Sequence, residues 1–115
     1  MKTGPISTAT APHYAWGNGC DGWHLVRTPT LSILEECMPS GTAERRHKHH
    51  LSGQFFYVLS GELTIELEGT DFHLGPQTGL EVKPGKAHQA FNRGIVDARF
   101  VVTSQPPSQG DRIDA

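Results

Sequence analysis

Apolar and polar positions alternate with a period of two along much of the chain. The clearest case is segment 62–68, where Leu63, Ile65 and Leu67 interleave with Glu62, Thr64, Glu66 and Glu68. A strand sends successive side chains to opposite faces, so this segment predicts one buried and one wetted face. Short runs rich in β-branched and aromatic residues, mostly closed by Gly, Pro or Ser, predict further strands at 23–27, 31–38, 46–50, 55–59, 72–74, 79–82, 89–92 and 98–103. No helix-length window carries an i, i+3, i+4, i+7 apolar stripe. The pattern therefore predicts an all-β protein, an antiparallel sandwich or barrel. Segment 55–59, Phe-Phe-Tyr-Val-Leu, is apolar on both faces. It asks for cover on both sides, by a second sheet, the N-terminal arm or another subunit, and a homodimer is expected on that basis.

The ends lack this pattern. Residues 1–22 mix small, polar and aromatic types and are read as an irregular arm, 23–103 as the folded domain, and 104–115, polar and carrying Pro106-Pro107, as an extended or partly disordered tail. A length of 115 residues suits one domain. The 13 glycines and 8 prolines agree with a chain that turns often. A net charge of −2 offers no basic footprint for a phosphate backbone, so no nucleic-acid partner is expected. Segment 55–59 is the longest apolar run, far short of the roughly 20 residues of a membrane span, and residues 1–10 lack the apolar stretch of a signal peptide. A cytoplasmic protein with no membrane partner is expected, and with it reduced thiols at Cys20 and Cys37.

Seven histidines stand against those two cysteines. His47-Lys48-His49 places two imidazoles on one face of a strand, where they can share a metal ion. Alone, such a pair is more commonly two exposed histidines in a basic run, here with Arg45 and Arg46. Its surroundings add meaning. Gly41, His47, His49, Gln54 and Gly61 are spaced G-x5-H-x-H-x4-Q-x6-G, and Pro84-Gly85-x2-His88-x3-Asn92 later delivers a third histidine.

On these residues the chain resembles the cupin family. The first group follows the first cupin motif, with glutamine in the place of glutamate. Gly79, Pro84, Gly85, His88 and Asn92 follow the order of the second, although the Gly79–Gly85 interval is two residues short and only Gly85, His88 and Asn92 keep its spacing. The resemblance spans roughly residues 31–103. It implies a double-stranded β-helix, the jelly-roll cupin barrel, with a ligand cavity between its sheets. It also implies one divalent transition metal ion (Fe, Mn, Ni, Zn, Co or Cu) held by His47, His49 and His88, with Gln54 as fourth candidate. Imidazoles suit all of these metals.

Gln54 would either coordinate through its carbonyl oxygen or hydrogen-bond a metal-bound water. As a neutral ligand it would leave the full +2 charge, favouring an anionic bidentate substrate. Without the family's glutamate, a carboxylate base has to come from elsewhere. Glu35 and Glu36 are the catalytic candidates: alternation groups Glu35 with Ile33 and Cys37, and Glu36 with Leu34 and Met38, so a regular strand turns one inward unless an edge or bulge frees both to solvent. His13, His24, His50 and His73 have no partner at ligand spacing and are read as structural or surface residues. Arg45, Arg46 and Lys48 either steer an anion or form a solvated face, and Asn92 ties its own turn. Phe56, Leu63, Ile65, Phe91 and Phe100 are the expected inward residues. Two functions fit: a metal-dependent enzyme, dioxygenase-, isomerase- or cyclase-like, acting on a small polar or anionic molecule, or a non-catalytic metal or small-ligand binding module that serves as sensor, store or accessory subunit.

Overall fold

The structure is a computed structural model that describes residues 4–115. It holds eleven strands: β1 (His13–Trp16), β2 (Cys20–Arg27), β3 (Ser32–Met38), β4 (His47–His49), β5 (Gly53–Ser60), β6 (Leu63–Leu67), β7 (Thr70–Leu74), β8 (Gly79–Val82), β9 (His88–Phe91), β10 (Ala98–Gln105) and β11 (Arg112–Asp114). All nine expected strands are present within a few residues of their predicted ends. No helix among the described residues is long and apolar enough to cross a membrane.

The strands form two antiparallel sheets, one of six in the order β1-β2-β3-β10-β5-β8 and one of five in the order β11-β4-β9-β6-β7. They pack face to face as a jelly roll without being hydrogen-bonded into a closed barrel. Between them lies an apolar core built on Leu34, Met38, Phe56, Val58, Leu63, Ile65, Phe100 and Val102. Alternation explains most of it: Phe56 and Val58 point inward from β5 while Phe55, Tyr57 and Leu59, the other half of the doubly apolar segment, stay 44%, 37% and 42% exposed on the outer face. Phe91 departs from expectation. His88 and Ala90 occupy the inward face of β9, so Phe91 falls on the opposite one, where the Arg93 guanidinium stacks 4.4 Å from its ring centre.

Both ends are more ordered than their composition predicts. The segment read as an irregular arm contributes β1, which pairs with β2 from His13↔Trp23 to Trp16↔Cys20. The segment read as a loose tail contributes β11, which pairs with the histidine strand from Arg112↔His49 to Asp114↔His47. Neither β1 nor β11 carries an alternation of apolar and polar residues that marks a strand, and here the hydrogen-bonding partner decides the conformation.

Candidate metal centre

Three histidines meet because two short strands bring them into register. His47 lies directly opposite His88 across the β4–β9 ladder, and His49 follows two residues along on the same face. Gly85 makes the preceding turn at a φ of 81°, a left-handed conformation that favours glycine, and its amide donates to the His49 carbonyl at 2.6 Å. Ring centres lie 4.5 Å apart for His47 and His88, 4.8 Å for His47 and His49, and 5.7 Å for His49 and His88. Each ring offers one ligand atom, and the three atoms lie within 4.8 Å of one another.

The tautomers suit ligation. A carbonyl oxygen only accepts, so a ring nitrogen facing one carries the proton. His47 Nδ1 donates to the Arg45 carbonyl at 2.7 Å, His88 Nδ1 to the Lys86 carbonyl at 3.0 Å, and His49 Nδ1 to the Asp111 carbonyl at 3.3 Å. The Nε2 atoms of His49 and His88 therefore keep a bare lone pair and are buried without a hydrogen-bond partner. Burial holds the His47 pKa down at about 4 and lowers His49 and His88 as well. All three rings are thus neutral near pH 7, the form that binds metal.

Gln54 approaches from the other sheet. It is buried on β5, with its amide nitrogen donating to Ser104 Oγ at 3.0 Å and its carbonyl oxygen unpaired beside His49. A buried acceptor without a donor is costly in an apolar setting. Three orphaned acceptors around one small region fit a bound cation, and the donor set of three imidazoles and an amide oxygen suits a divalent transition metal.

A cavity of about 350 Å³ opens beside this cluster. It resolves the choice between the two glutamates of β3. Glu35 points out of the sandwich and pairs with Arg99 at 2.9 Å, so it is not part of this site. Glu36 lines the cavity. Three strands set its position: Tyr14, Gly22 and Glu36 sit opposite one another across β1, β2 and β3. A Cβ on Gly22 would lie 2.1 Å from Cζ of the Tyr14 ring. The glycine leaves the gap across which the phenol reaches, and Tyr14 donates to Glu36 Oε2 at 2.6 Å.

A second carboxylate, Glu44, lines the same cavity and accepts from the Ala90 amide at 2.9 Å. Burial pushes the Glu36 carboxyl up to about 7, against the Tyr14 hydrogen bond and the Arg112 charge. Burial, and then the charge of Glu36, pushes Glu44 up to about 8. Burial also raises the Tyr14 phenol. The cavity therefore carries exchangeable protons near neutral pH, next to arginines rather than free anions.

Those arginines are not the basic run of β4. Arg45 pairs with Asp114 at 3.1 Å and Arg46 with Glu66 at 2.7 Å, so both are neutralised away from the cavity. Arg27 and Arg112 line it instead. A bulge in β2 between His24 and Val26 shifts the inward face from Cys20, Gly22 and His24 to Arg27. His24, read from sequence as a bystander, belongs to the cavity wall, its ring centre 4.9 Å from that of Tyr14. His13 pairs with Asp21 and His73 with Thr64, as structural residues do, and His50 is exposed. Asn92 donates to the Met38 and Val96 carbonyls, both at 2.8 Å, and accepts from Gly94, tying its turn to β3.

Sequence reasoning missed Tyr14, Glu44 and Arg112. The first lies in a strand without apolar–polar alternation, the third in the tail. Glu44 stands three residues before the histidine pair, and its only signal is that proximity.

A profile of the Cupin domain matches residues 34–104. The tetracenomycin polyketide synthase protein TcmJ of Streptomyces glaucescens is 32% identical over 66 residues, 57% of this chain and 44% of that protein. The chain spans about half the length of the curated relatives it matches first, 61% and 44%. Among solved structures, KdgF from a Halomonas species superposes with a TM-score of 0.82 at 22% identity, covering 91% of this chain and 96% of that one. The polyketide cyclase RemF from Streptomyces resistomycificus gives 0.83 at 15% identity, covering 99% and 86%. At these identities the likeness to solved structures is one of fold.

Proposed function

This chain belongs to the Cupin domain family, and from that premise we propose that it is a metal-dependent enzyme of the cyclase or isomerase kind, acting on a small, oxygen-rich, anionic molecule. The observation that carries the reading is the convergence of His49 Nε2, His88 Nε2 and Gln54 Oε1, all buried and unpaired, beside His47 and a cavity that holds protonatable carboxyl groups. The polyketide cyclase among its structural neighbours supports the same class.

His47, His49 and His88 would hold one divalent transition ion, with Gln54 completing the set. Bound there, such an ion supplies Lewis acidity toward a substrate oxygen. The chain itself supplies the rest. Four neutral ligands leave the site positive, and Arg112, whose Nη2 lies 3.2 Å from the His47 ring, adds to that charge. An anionic substrate is drawn to this end of the cavity. Glu36 gives or takes a proton at the face of the substrate turned toward β3. Tyr14 fixes the rotamer of that carboxyl through its phenol hydrogen bond. Trp16, Leu34 and Phe56 supply apolar wall that keeps water from competing for the proton.

The test is metal analysis of protein purified without added metal, followed by turnover assays on a panel of sugar acids, diketones and polyphenols. We expect about one equivalent of a transition metal, in line with a single site of this donor set, and turnover that His88→Ala abolishes. Protein that neither retains nor takes up a divalent ion would overturn the proposal. An ion bound without turnover across the panel would instead favour a binding module.

A further inference from the structure

One of the three histidines is supported differently from the others. His47 and His88 each donate to a carbonyl two residues earlier in their own chain segment, so their orientation is a local matter. His49 donates to the carbonyl of Asp111, 62 residues away. The side chain of the same residue reaches the loop that follows β4. Its carboxylate accepts from the amides of His50 at 3.1 Å, Leu51 at 2.9 Å and Ser52 at 2.9 Å. Asp111 thus grips the end of the histidine strand with both its main chain and its side chain.

The segment around Asp111 also touches the cavity. Ser108, Gln109 and Gly110 before it and Arg112 after it line the wall. Beyond it, β11 pairs with β4 along its whole length, yet Arg112, Ile113 and Asp114 are all exposed. What fastens this segment is hydrogen bonding more than buried apolar surface, which places it among the parts of a fold that open most readily.

Resting on the metal reading above, we propose that residues 108–114 form a latch on the metal centre: Asp111 is a positioning residue that holds His49 in its ligating orientation, and a divalent ion on the histidines in turn tightens this segment over the cavity. The physical link is the His49 ring. An imidazole whose Nε2 binds a cation becomes a stronger donor at Nδ1, so the 3.3 Å bond to Asp111 gains strength when the site is loaded. Coupling of this kind is reciprocal, so whatever loosens the latch must weaken the ion by the same factor. A ligand that contacts Gln109 or Arg112 from the cavity acts on the same equilibrium.

Co²⁺ tests this on the full chain, with ligand-field absorption reporting the ion and hydrogen exchange reporting the amides of residues 50–52 and 112–114. In the wild type, Co²⁺ should slow exchange at those amides. Asp111→Ala keeps the main-chain carbonyl that His49 faces but removes the carboxylate that anchors it to residues 50–52; it should weaken Co²⁺ binding by about 10- to 100-fold, as loosening a ligand's outer partner does, alter the absorption spectrum, and abolish the Co²⁺-dependent protection. Asp111→Asn keeps one acceptor oxygen and should fall between; it carries the test if the alanine variant does not fold. Asp71→Ala, on β7 at the opposite edge of the same sheet and in an exposed pair with Arg93, should leave affinity within about twofold, as exposed ion pairs do. Equal affinity and spectrum in wild type and Asp111 variants, or Co²⁺ binding with no change in exchange, overturns the latch alone. A wild type that binds no Co²⁺ overturns the metal reading with it.

Discussion

Glu36→Gln isolates the cost of keeping a carboxyl group inside the cavity. Folding raises the Glu36 pKa from an ordinary 4.5 to about 7, chiefly by burial. The folded state therefore holds its proton more tightly than the unfolded state, and stability falls as pH rises through the window from 4.5 to 7. At 1.36 kcal/mol per pKa unit the full shift corresponds to an upper bound of about 3 kcal/mol at pH 8. Glutamine removes the titration and still accepts from the Tyr14 phenol. At pH 5 the variant should match the wild type or fall slightly below it; at pH 8 it should be more stable by about 2 to 3 kcal/mol. Glu44 adds to the effect, because the Glu36 charge is the second cause of its own shift. The three buried histidines titrate in both proteins and cancel in the difference. Urea denaturation of metal-free protein, followed by the fluorescence of Trp16 and Trp23 between pH 5 and 8, measures it. A stability difference that stays constant over that range would refute the placement of Glu36 as a half-buried, proton-holding group in the cavity wall.

Other substitutions probe the rest of the site. Gln54→Glu places a carboxylate where the family usually has one; with an attraction of about 4 kcal/mol per unit charge at 4 Å and an effective dielectric of 20, divalent-ion affinity should rise at least about tenfold. Competition with a chelating dye reads this, and unchanged affinity would place residue 54 out of reach of the ion. Gly22→Ala puts a Cβ into the Tyr14 ring, so the phenol has to leave Glu36; a loss of about 1 to 3 kcal/mol is expected from the overpacking, visible as a lower urea midpoint. A wild-type midpoint would mean that Tyr14 does not lie across β2.

The parts of the molecule legible in the sequence are those governed by period and turn chemistry. Leu63 and Ile65 could be placed in the core because a strand of five residues shows its alternation, and the histidine pair because spacing alone puts it on one face. The parity of β3 narrowed the carboxylate to Glu35 or Glu36, but only the neighbouring strands decided between them: Arg99 on β10 takes one, Tyr14 on β1 the other. Tyr14, Glu44 and Arg112 belong to the site through pairings across the chain, and nothing local marks such pairings. Arg27 shows the same limit in miniature, since its inward turn depends on a one-residue bulge that alternation cannot foresee.

The position of β10 bears on how the chain reaches this structure. Among the last strands in the chain, it is the one that joins β3 to β5 in the middle of the six-stranded sheet. Until Ala98–Gln105 has left the ribosome, β3 and β5 each present an unsatisfied edge, and the apolar faces of Leu34, Met38, Phe56 and Val58 have no central strand beside them. Folding therefore waits for nearly the whole domain to be synthesised, as sheets dominated by long-range pairing do. In that interval the nascent chain exposes unpaired strand edges of the kind that chaperones cover.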